Sequence, residues 1–536
     1  MPNSFHSTRR QFLQTTGTVA AAAAGSSFLI PSLAQAQAYS ANMTGGPTGF
    51  TGAERFQYNP SMSEGRAIDG IKALAASGRL PKKLTILLND AAIGQLRTPF
   101  PAGAPTVLDI WKKETGIDIE IVGAPSSDIF KKVMQDVTTG DGSFDIYTGP
   151  WNSTGDLVAS GGALDCTPFV AKYSPDWGDP VRGVKTKEIE RLLYTYNDKN
   201  YVVALDGDFL TWYYLRGLYE KPQVQEAFMK EVGHELTIPN TWDEVDVISK
   251  FFTGKDFGNG TMYGNGNLMS PFWGLPTFYM RLASMDAPNF YFFDNEGNPN
   301  LNTDLGIQCA EEHVRSFEWS PPDALTFTWA ESFATMWNLR TPHACTYTAV
   351  GKFGDGKNPD GTPRSKAAGM IDCHPPVGRK VGNKLARRSV LHYSLSAWVS
   401  SKSANAEVAY LFLQWLSSTR IFTWLVSNPA GIIDPFQNAN LTEPFVVDTY
   451  QPYTTTAIPK SIECAAPTLN FAGQSALDTA LDEELQAALT KQKTARQAME
   501  DAQGKWERIV KRQKRNGIIE AIHASKKAWP TLVEDI

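Results

Sequence analysis

The chain has 536 residues, of which 20% are charged and 42% hydrophobic, and a formal net charge of −6. That balance argues against nucleic acid or an anionic membrane surface as a partner, and the length allows two or three domains. Five cysteines (Cys166, Cys309, Cys345, Cys373 and Cys464) are too few and too odd in number for a disulfide scaffold.

The N-terminus reads as a targeting segment. Thr8-Arg9-Arg10-Gln11-Phe12-Leu13-Gln14 is a twin-arginine signature, followed by an Ala-rich apolar stretch from Val19 to Ile30 and a small-x-small site, Ala34-Gln35-Ala36. Residues 1–36 are expected to be a signal peptide cleaved after Ala36, with Ala38 as the competing site. Cleavage removes Arg9 and Arg10 and so moves the net charge from −6 to −8. No run of about 18 apolar residues follows, and no cysteine marks a lipid anchor at the cleavage site. The exported chain is expected to be free in the periplasm.

Residues 37–82 are rich in Gly, Ser, Ala and Asn and read as an N-terminal extension with one short helix near Ala67–Ala76. Regular structure is expected from Lys83. "KLTILLND" has the pattern of a strand; "VLDIWKKETGIDIEIVGA" reads as an amphipathic helix, a stop at Gly116 and a second strand. "DIFKKVMQDVTTGDGSFDIYTG" repeats the pattern, with a strand expected at Phe144–Tyr147. Alternating strands and helices predict βαβ units and a mostly parallel sheet, whose ligand would lie at the carboxyl ends of the strands. Those ends carry Asn89-Asp90 and Gly149-Pro150-Trp151-Asn152.

Aromatic density rises after Asp206. "FFDNEGNPNLN" reads as a hairpin tip; it lacks the acidic twelfth position of a calcium loop. "ACTYTAV" and "YSLSAWVSS" read as strands, "SANAEVAYLFLQWLSS" as an amphipathic helix, and "LDEELQAALTKQKTARQAMEDAQGKWERIVKR" as one long charged helix. Cys345 and Cys373 lie in apolar runs that could form neighbouring strands, which makes them a candidate disulfide. His343, Cys345, Cys373 and His374 would make a metal set only if those strands lay side by side. There is no Gly-x-Ser-x-Gly elbow, His-Glu-x-x-His or phosphate-loop motif, and no metal or cofactor is expected.

Four stretches in order carry a resemblance: "KLTILLND…KKETGIDIEIV", "FDIYTGPWNSTGDLVASGGALDCTPF", "YVVALDGDFLTWYYLRGLYEKP" and "SLSAWVSSKSANAEVAYLFLQWLSS". Together they resemble the extracellular solute-binding proteins of ABC importers, in particular the sugar-binding group typified by maltose-binding protein. The chain departs from that group before "SLSAWVSS", where Val390-Leu391-His392-Tyr393 replaces a Gly-Gly, and in "PAGIIDPF", which lacks an Arg.

The resemblance implies a two-lobed α/β periplasmic-binding-protein fold, type II-like, in which each lobe is a mixed, mostly parallel sheet flanked by helices. Lobe one is expected at 83–205 and 348–418, lobe two at 206–347 and 419–536. A ligand contacting both lobes binds the closed form better, and that form meets the permease. Hydroxyls pair with carboxylates and amides, and sugar CH faces stack on rings; 14 Trp and 18 Tyr supply them. Asp206 and Asp208 fall in the first interlobe crossing, Trp151 and Asn152 in the ligand loop, and Asn89 and Asp90 at the end of the first strand. Phe272 and Trp273 match an aromatic platform at a helix start, Tyr347 lies in the expected second crossing, and His392 and Tyr393 precede a lobe-one strand. Trp337 and Trp398 fit core patterns. The implied function is capture of a sugar, polyol or small oligosaccharide by a monomer and delivery to an ABC permease, without catalysis. The alternatives are a periplasmic glycoside hydrolase or lyase using Asp206 and Asp208, or a ligand receptor for a signalling partner.

Overall fold

A computed structural model of the chain describes residues 43–285, 292–358, 360–530 and 534–535. The chain divides into units 1–43 and 44–536, and the fold described is that of the second. The expected signal peptide and its cleavage sites lie outside the described residues.

The first strand, β1 (Lys83–Asn89), alternates as its sequence requires: Leu84, Ile86 and Leu88 enter one core while Leu87 enters another on the opposite face. The helix Val107–Thr115 is opened by a capping box between Thr106 and Asp109 and stopped by Gly116 at φ 75°. The chain then returns as β2 (Asp118–Ala124), runs through the helix Ser126–Thr139 and enters β3 (Ile146–Pro150). That strand lies a little C-terminal to the expected Phe144–Tyr147. After β4 (Val203–Ala204) the chain leaves this sheet and resumes as β5 (Thr211–Leu215), β6 (His343–Thr346) and β7 (Ile371–His374). A ribbon of β8 (Gly378–Val381) and β9 (Lys384–Arg387) precedes β10 (Ser389–Leu391) and β11 (Leu395–Val399).

The architecture is two-lobed α/β, as the sequence predicts. One sheet has the order β2-β1-β3-β11-β4, with β1 parallel to β2 and β3, and β11 antiparallel to β3 and β4. The other has the order β6-β5-β7, antiparallel throughout. Residues 205–210 therefore span from one sheet to the other, the crossing expected of "YVVALDGDFLTWYYLRGLYEKP".

Three expectations change. The segment 371–374, placed with lobe one, pairs instead with β5 in the second sheet. The residues after 418, placed in lobe two, stay in the first core: Ile421, Phe422, Leu425, Ile433, Tyr450 and Ile462 all pack there, and the switch comes between Ala465 and Ala466. The helix Thr419–Ser427 buries nearly every side chain, so the chain cannot leave the lobe at its start. The single C-terminal helix is two, Gln474–Leu489 and Ala495–Val510, because Thr494 and Gln497 form a capping box that restarts the helix.

The extension packs against the first core. Its helix, Ser63–Ala76, is longer than expected and buries Ala67, Ile68, Ile71 and Leu74 in the first core.

The candidate disulfide is absent: Cys345 and Cys373 each carry a thiol, and no disulfide joins any of the cysteines, all of which are described. Cys345 and Cys373 flank β5 from opposite sides, opposite Trp212 and Tyr213, so a whole strand separates them. The same separation divides His343 and Cys345 from Cys373 and His374. Thiol titration of the denatured protein is expected to return five thiols. The native protein should react slowly, with Cys373 first, since the other four are buried. Fewer than five thiols after denaturation would mean that a bridge forms.

Candidate functional site

The carboxyl ends of β1 and β3 deliver Asn89 and Gly149-Pro150 to one wall of a cavity enclosing about 590 Å³ of atom-free space, part of it open to solvent. The crossing supplies Asp206 and Asp208, and the strand entering the first sheet supplies Tyr393 and Leu395. Opposite them stand Phe272, Trp273, Trp329, Phe333 and Tyr347, from residues of the second sheet and its flanking segments. The cavity thus lies between the lobes, at the strand ends where βαβ sheets place ligands.

The aromatic wall is built around a strained residue. Phe272 has φ 69°, a left-handed conformation uncommon for a bulky side chain. Its N–H donates to Asp482 Oδ2 at 2.7 Å and its carbonyl accepts from the Tyr393 hydroxyl at 2.9 Å. The two rings stack with centroids 4.0 Å apart and planes 7° apart. The pair joins the lobes and divides this cavity from a wider one lined by Asn152, Ser475, Asp478 and Asp482. Trp273 stands edge-on to Tyr347 and Tyr393, at 6.2 and 6.4 Å.

The acidic wall holds three carboxylates whose oxygens approach within 4.8 Å of one another: Asp206, Asp208 and Asp434. Asp206 is fully buried, and its Oδ1 accepts from the backbone N–H groups of Gly207 and Asp434, each at 2.7 Å. Its Oδ2 has no partner. Asp208 has the backbone N–H of Leu395 as a partner. Asp434 accepts from Thr348 Oγ1 at 2.5 Å and the Tyr450 hydroxyl at 2.7 Å, and the Lys352 ammonium donates to that hydroxyl at 2.9 Å. Burial pushes all three carboxyls up, Asp208 to about 8, with repulsion from neighbouring carboxylates adding to the rise at Asp206 and Asp208, while burial pulls Lys352 down to about 8.

The sequence does not single out Asp434, although it lies in "PAGIIDPF", where the chain departs from the family pattern. Gln95 holds it in place: its side chain donates to Ile433 O at 2.9 Å and accepts from Ile433 N at 2.6 Å. Trp329 and Phe333 were also missed, because a helical aromatic pattern reads as core.

Of the expected residues, Asn89, Asp206, Asp208, Phe272, Trp273, Tyr347 and Tyr393 come together in the cavity. Asn89 also makes the Asx-turn with Ala91 N and donates to Ser126 Oγ at 2.7 Å. Four do not join them. Asp90 is exposed and lies over Gly123. Trp151 is core, its Nε1 donating to Leu192 O at 2.8 Å. Asn152 lies on the far side of the Phe272–Tyr393 pair and donates to Asp478 Oδ2 at 2.7 Å. His392 is buried against Thr468, its Nδ1 2.7 Å from Thr468 Oγ1, and desolvation lowers its pKa to about 3, so the ring is neutral. Tyr347 directly follows β6 and packs in the second core rather than in a crossing; the return runs instead through 391–395, which carries Tyr393. Trp398 is fully buried as expected, and Trp337 packs at the edge of the second core.

Comparison with known proteins places this geometry. The family model described as bacterial extracellular solute-binding protein matches residues 94–421. A curated relative from Sinorhizobium fredii, described as a probable amino-acid ABC transporter periplasmic-binding protein, is 23% identical over 427 residues, covering 78% of this chain and 89% of its own. Among solved structures, an ABC transporter solute-binding protein from Agrobacterium radiobacter in complex with ribitol superposes with a TM-score of 0.64 at 16% identity, over 80% of this chain and 98% of that one. Maltose-bound MalE3 of T. maritima gives 0.62 at 15%, over 79% and 99%.

Proposed function

Given that the chain belongs to the bacterial extracellular solute-binding protein family, we propose that it captures a sugar or polyol between its lobes and delivers it to an ABC permease. The observation that carries this reading is the interlobe cavity, with rings on one wall and carboxylates on the other. A ring or polyol backbone lies against Trp273 and Tyr347, and its hydroxyls donate to Asp206 and Asp208. The ribitol- and maltose-bound neighbours support the class of solute; the Sinorhizobium relative, described for amino acids, leaves the cavity's own chemistry to refine it.

The protein works as a monomer in the periplasm, sent there by the twin-arginine segment and freed by cleavage after Ala36. Replacing Arg9 and Arg10 by lysine is expected to leave the precursor in the cytoplasm, read by fractionation; continued export would overturn the route. A hydrolase would need two carboxyls about 5–9.5 Å apart with the substrate bond between them. Asp206, Asp208 and Asp434 instead cluster on one wall, within 4.8 Å.

A thermal-shift screen with ribitol, mannitol, maltose and related sugars tests the reading. A ligand at 100 times its Kd should add roughly 2.7 kcal/mol of stability. Trp273→Ala should cost about 2 kcal/mol or more of binding free energy, measured by calorimetric titration, as expected of a central aromatic contact. Unchanged affinity in that variant would place the solute elsewhere.

A further inference from the structure

We propose that the solute carries a positive charge as well as hydroxyls, an aminated sugar or polyol, and that its ammonium seats among Asp206, Asp208 and Asp434. The inference rests on the sugar or polyol reading above and names its chemical class.

The first observation is the charge balance. Three carboxyls face one another within 4.8 Å, and among the described residues no Lys, Arg or His lines the cavity with them. Lys352 stands behind Asp434, donating to the Tyr450 hydroxyl, and its charge offsets the rise at Asp434 only in part. Burial raises all three carboxyls and so favours their neutral form. A neutral polyol leaves that cost in place, whereas an ammonium seated among them favours the charged form and supplies three donors.

The second observation is independent of the acidic cluster. Tyr347 lines the same cavity and is only 6% exposed, and its hydroxyl is buried with no hydrogen-bond partner. Asp206 Oδ2, fully buried, likewise has none. Buried polar groups are rarely left unpaired, and a donor-rich group that reaches both would pair them. An acceptor alone would suit the hydroxyl and repel the carboxylate.

The third is the opposite wall. Phe272, Trp273, Trp329, Phe333, Tyr347 and Tyr393 present rings to the cavity, and ring faces attract organic cations. A divalent metal would need about six to eight oxygen ligands around it. Beyond the three aspartates the wall is mostly carbon, which favours an alkylammonium over a hydrated ion.

The test uses the mature protein and calorimetric titration with matched probes: D-mannitol against N-methyl-D-glucamine, and glucose against glucosamine. Putrescine, calcium and magnesium serve as further arms. The aminated partner is expected to bind at least about 100-fold tighter than its neutral counterpart, the scale of a desolvated charge pair. Asp208→Asn, which keeps shape and removes one charge, should cut that preference about tenfold or more; its ligand-free melt reports whether it folds. Asp434→Asn provides the same reading from a second position. Equal affinity for neutral and aminated probes would overturn the charge inference and leave the sugar reading standing. Binding of putrescine with no hydroxylated probe binding would support the charge and overturn the sugar reading. Stabilisation by calcium or magnesium alone would overturn the ammonium assignment. No response to any probe would overturn both.

Discussion

Gly155→Ala is expected to destabilise the protein by about 3 kcal/mol or more, and Gly155→Val by more still. A Cβ at this position would lie 2.4 Å from the backbone C and Cα of Phe471 and 2.7 Å from its N. Backbone cannot step aside as a side chain can, so the two segments must separate. What they hold together is the junction of the lobes. Gly155 N donates to Asn470 Oδ1 at 2.8 Å, and Asn470 Nδ2 donates to Trp151 O at 3.1 Å. The carboxylate of Asp156 accepts from Gly473 N at 2.6 Å and Ser475 N at 3.0 Å, at the start of the helix Gln474–Leu489. Overpacking costs about 1–3 kcal/mol, and each strained or lost hydrogen bond adds about 1 kcal/mol. Denaturant melts measure the loss. Wild-type stability in Gly155→Ala would mean that the contact yields without cost.

Glu64→Gln is expected to stabilise the protein increasingly as pH rises. Glu64 is fully buried in the helix Ser63–Ala76, and neither carboxylate oxygen has a hydrogen-bond partner; Arg420 Nε lies 3.5 Å away. Desolvation raises its pKa from 4.5 to about 7, the backbone and Arg420 opposing the shift only in part. Between those values the native state holds a proton that the unfolded chain has released. Stability therefore falls as pH rises through this window, and above about 7 the loss is complete. A shift of that size corresponds to roughly 3 kcal/mol. The difference between variant and wild type should grow from under about 1 kcal/mol at pH 5 to roughly 3 kcal/mol at pH 8.

Other groups shape the wild-type curve. Asp478, raised to about 7, and Asp208, raised to about 8, lose stability in the same direction as Glu64. His313, His343 and His392, lowered to about 3 by burial, oppose them only below their unfolded value of 6.5. Lys352, lowered to about 8, acts only above that pH. The melting temperature of wild type should therefore fall between pH 6.5 and 8. A Glu64→Gln variant less stable than wild type at pH 8 would show that the carboxylate makes a net favourable contact there.

Much of the fold is legible because its signals are local. Strand alternation in "KLTILLND", the Gly116 stop and the apolar run of "AEVAYLFLQWL" each require only neighbours in the chain. Even the crossing is local, since the sheet change happens within 203–211. Asp206 and Asp208 were found because they sit in that crossing. The break at Thr494 was also written in the sequence, as a capping box, but a continuous charged pattern concealed it.

By itself, then, the sequence determined the two-lobed α/β class, the crossing and the two carboxylates within it. Only the tertiary structure decided which groups share a cavity. Asp434 meets Asp206 across 228 positions through one backbone hydrogen bond, and Gln95 sets that approach from another part of the chain. Trp151, beside the strand end, turns away to Leu192, while Trp329 and Phe333 turn in. Secondary structure is governed by dihedral preferences and short-range periodicity. The direction a side chain takes at a lobe boundary is governed by whatever packs against it, and no local pattern carries that information.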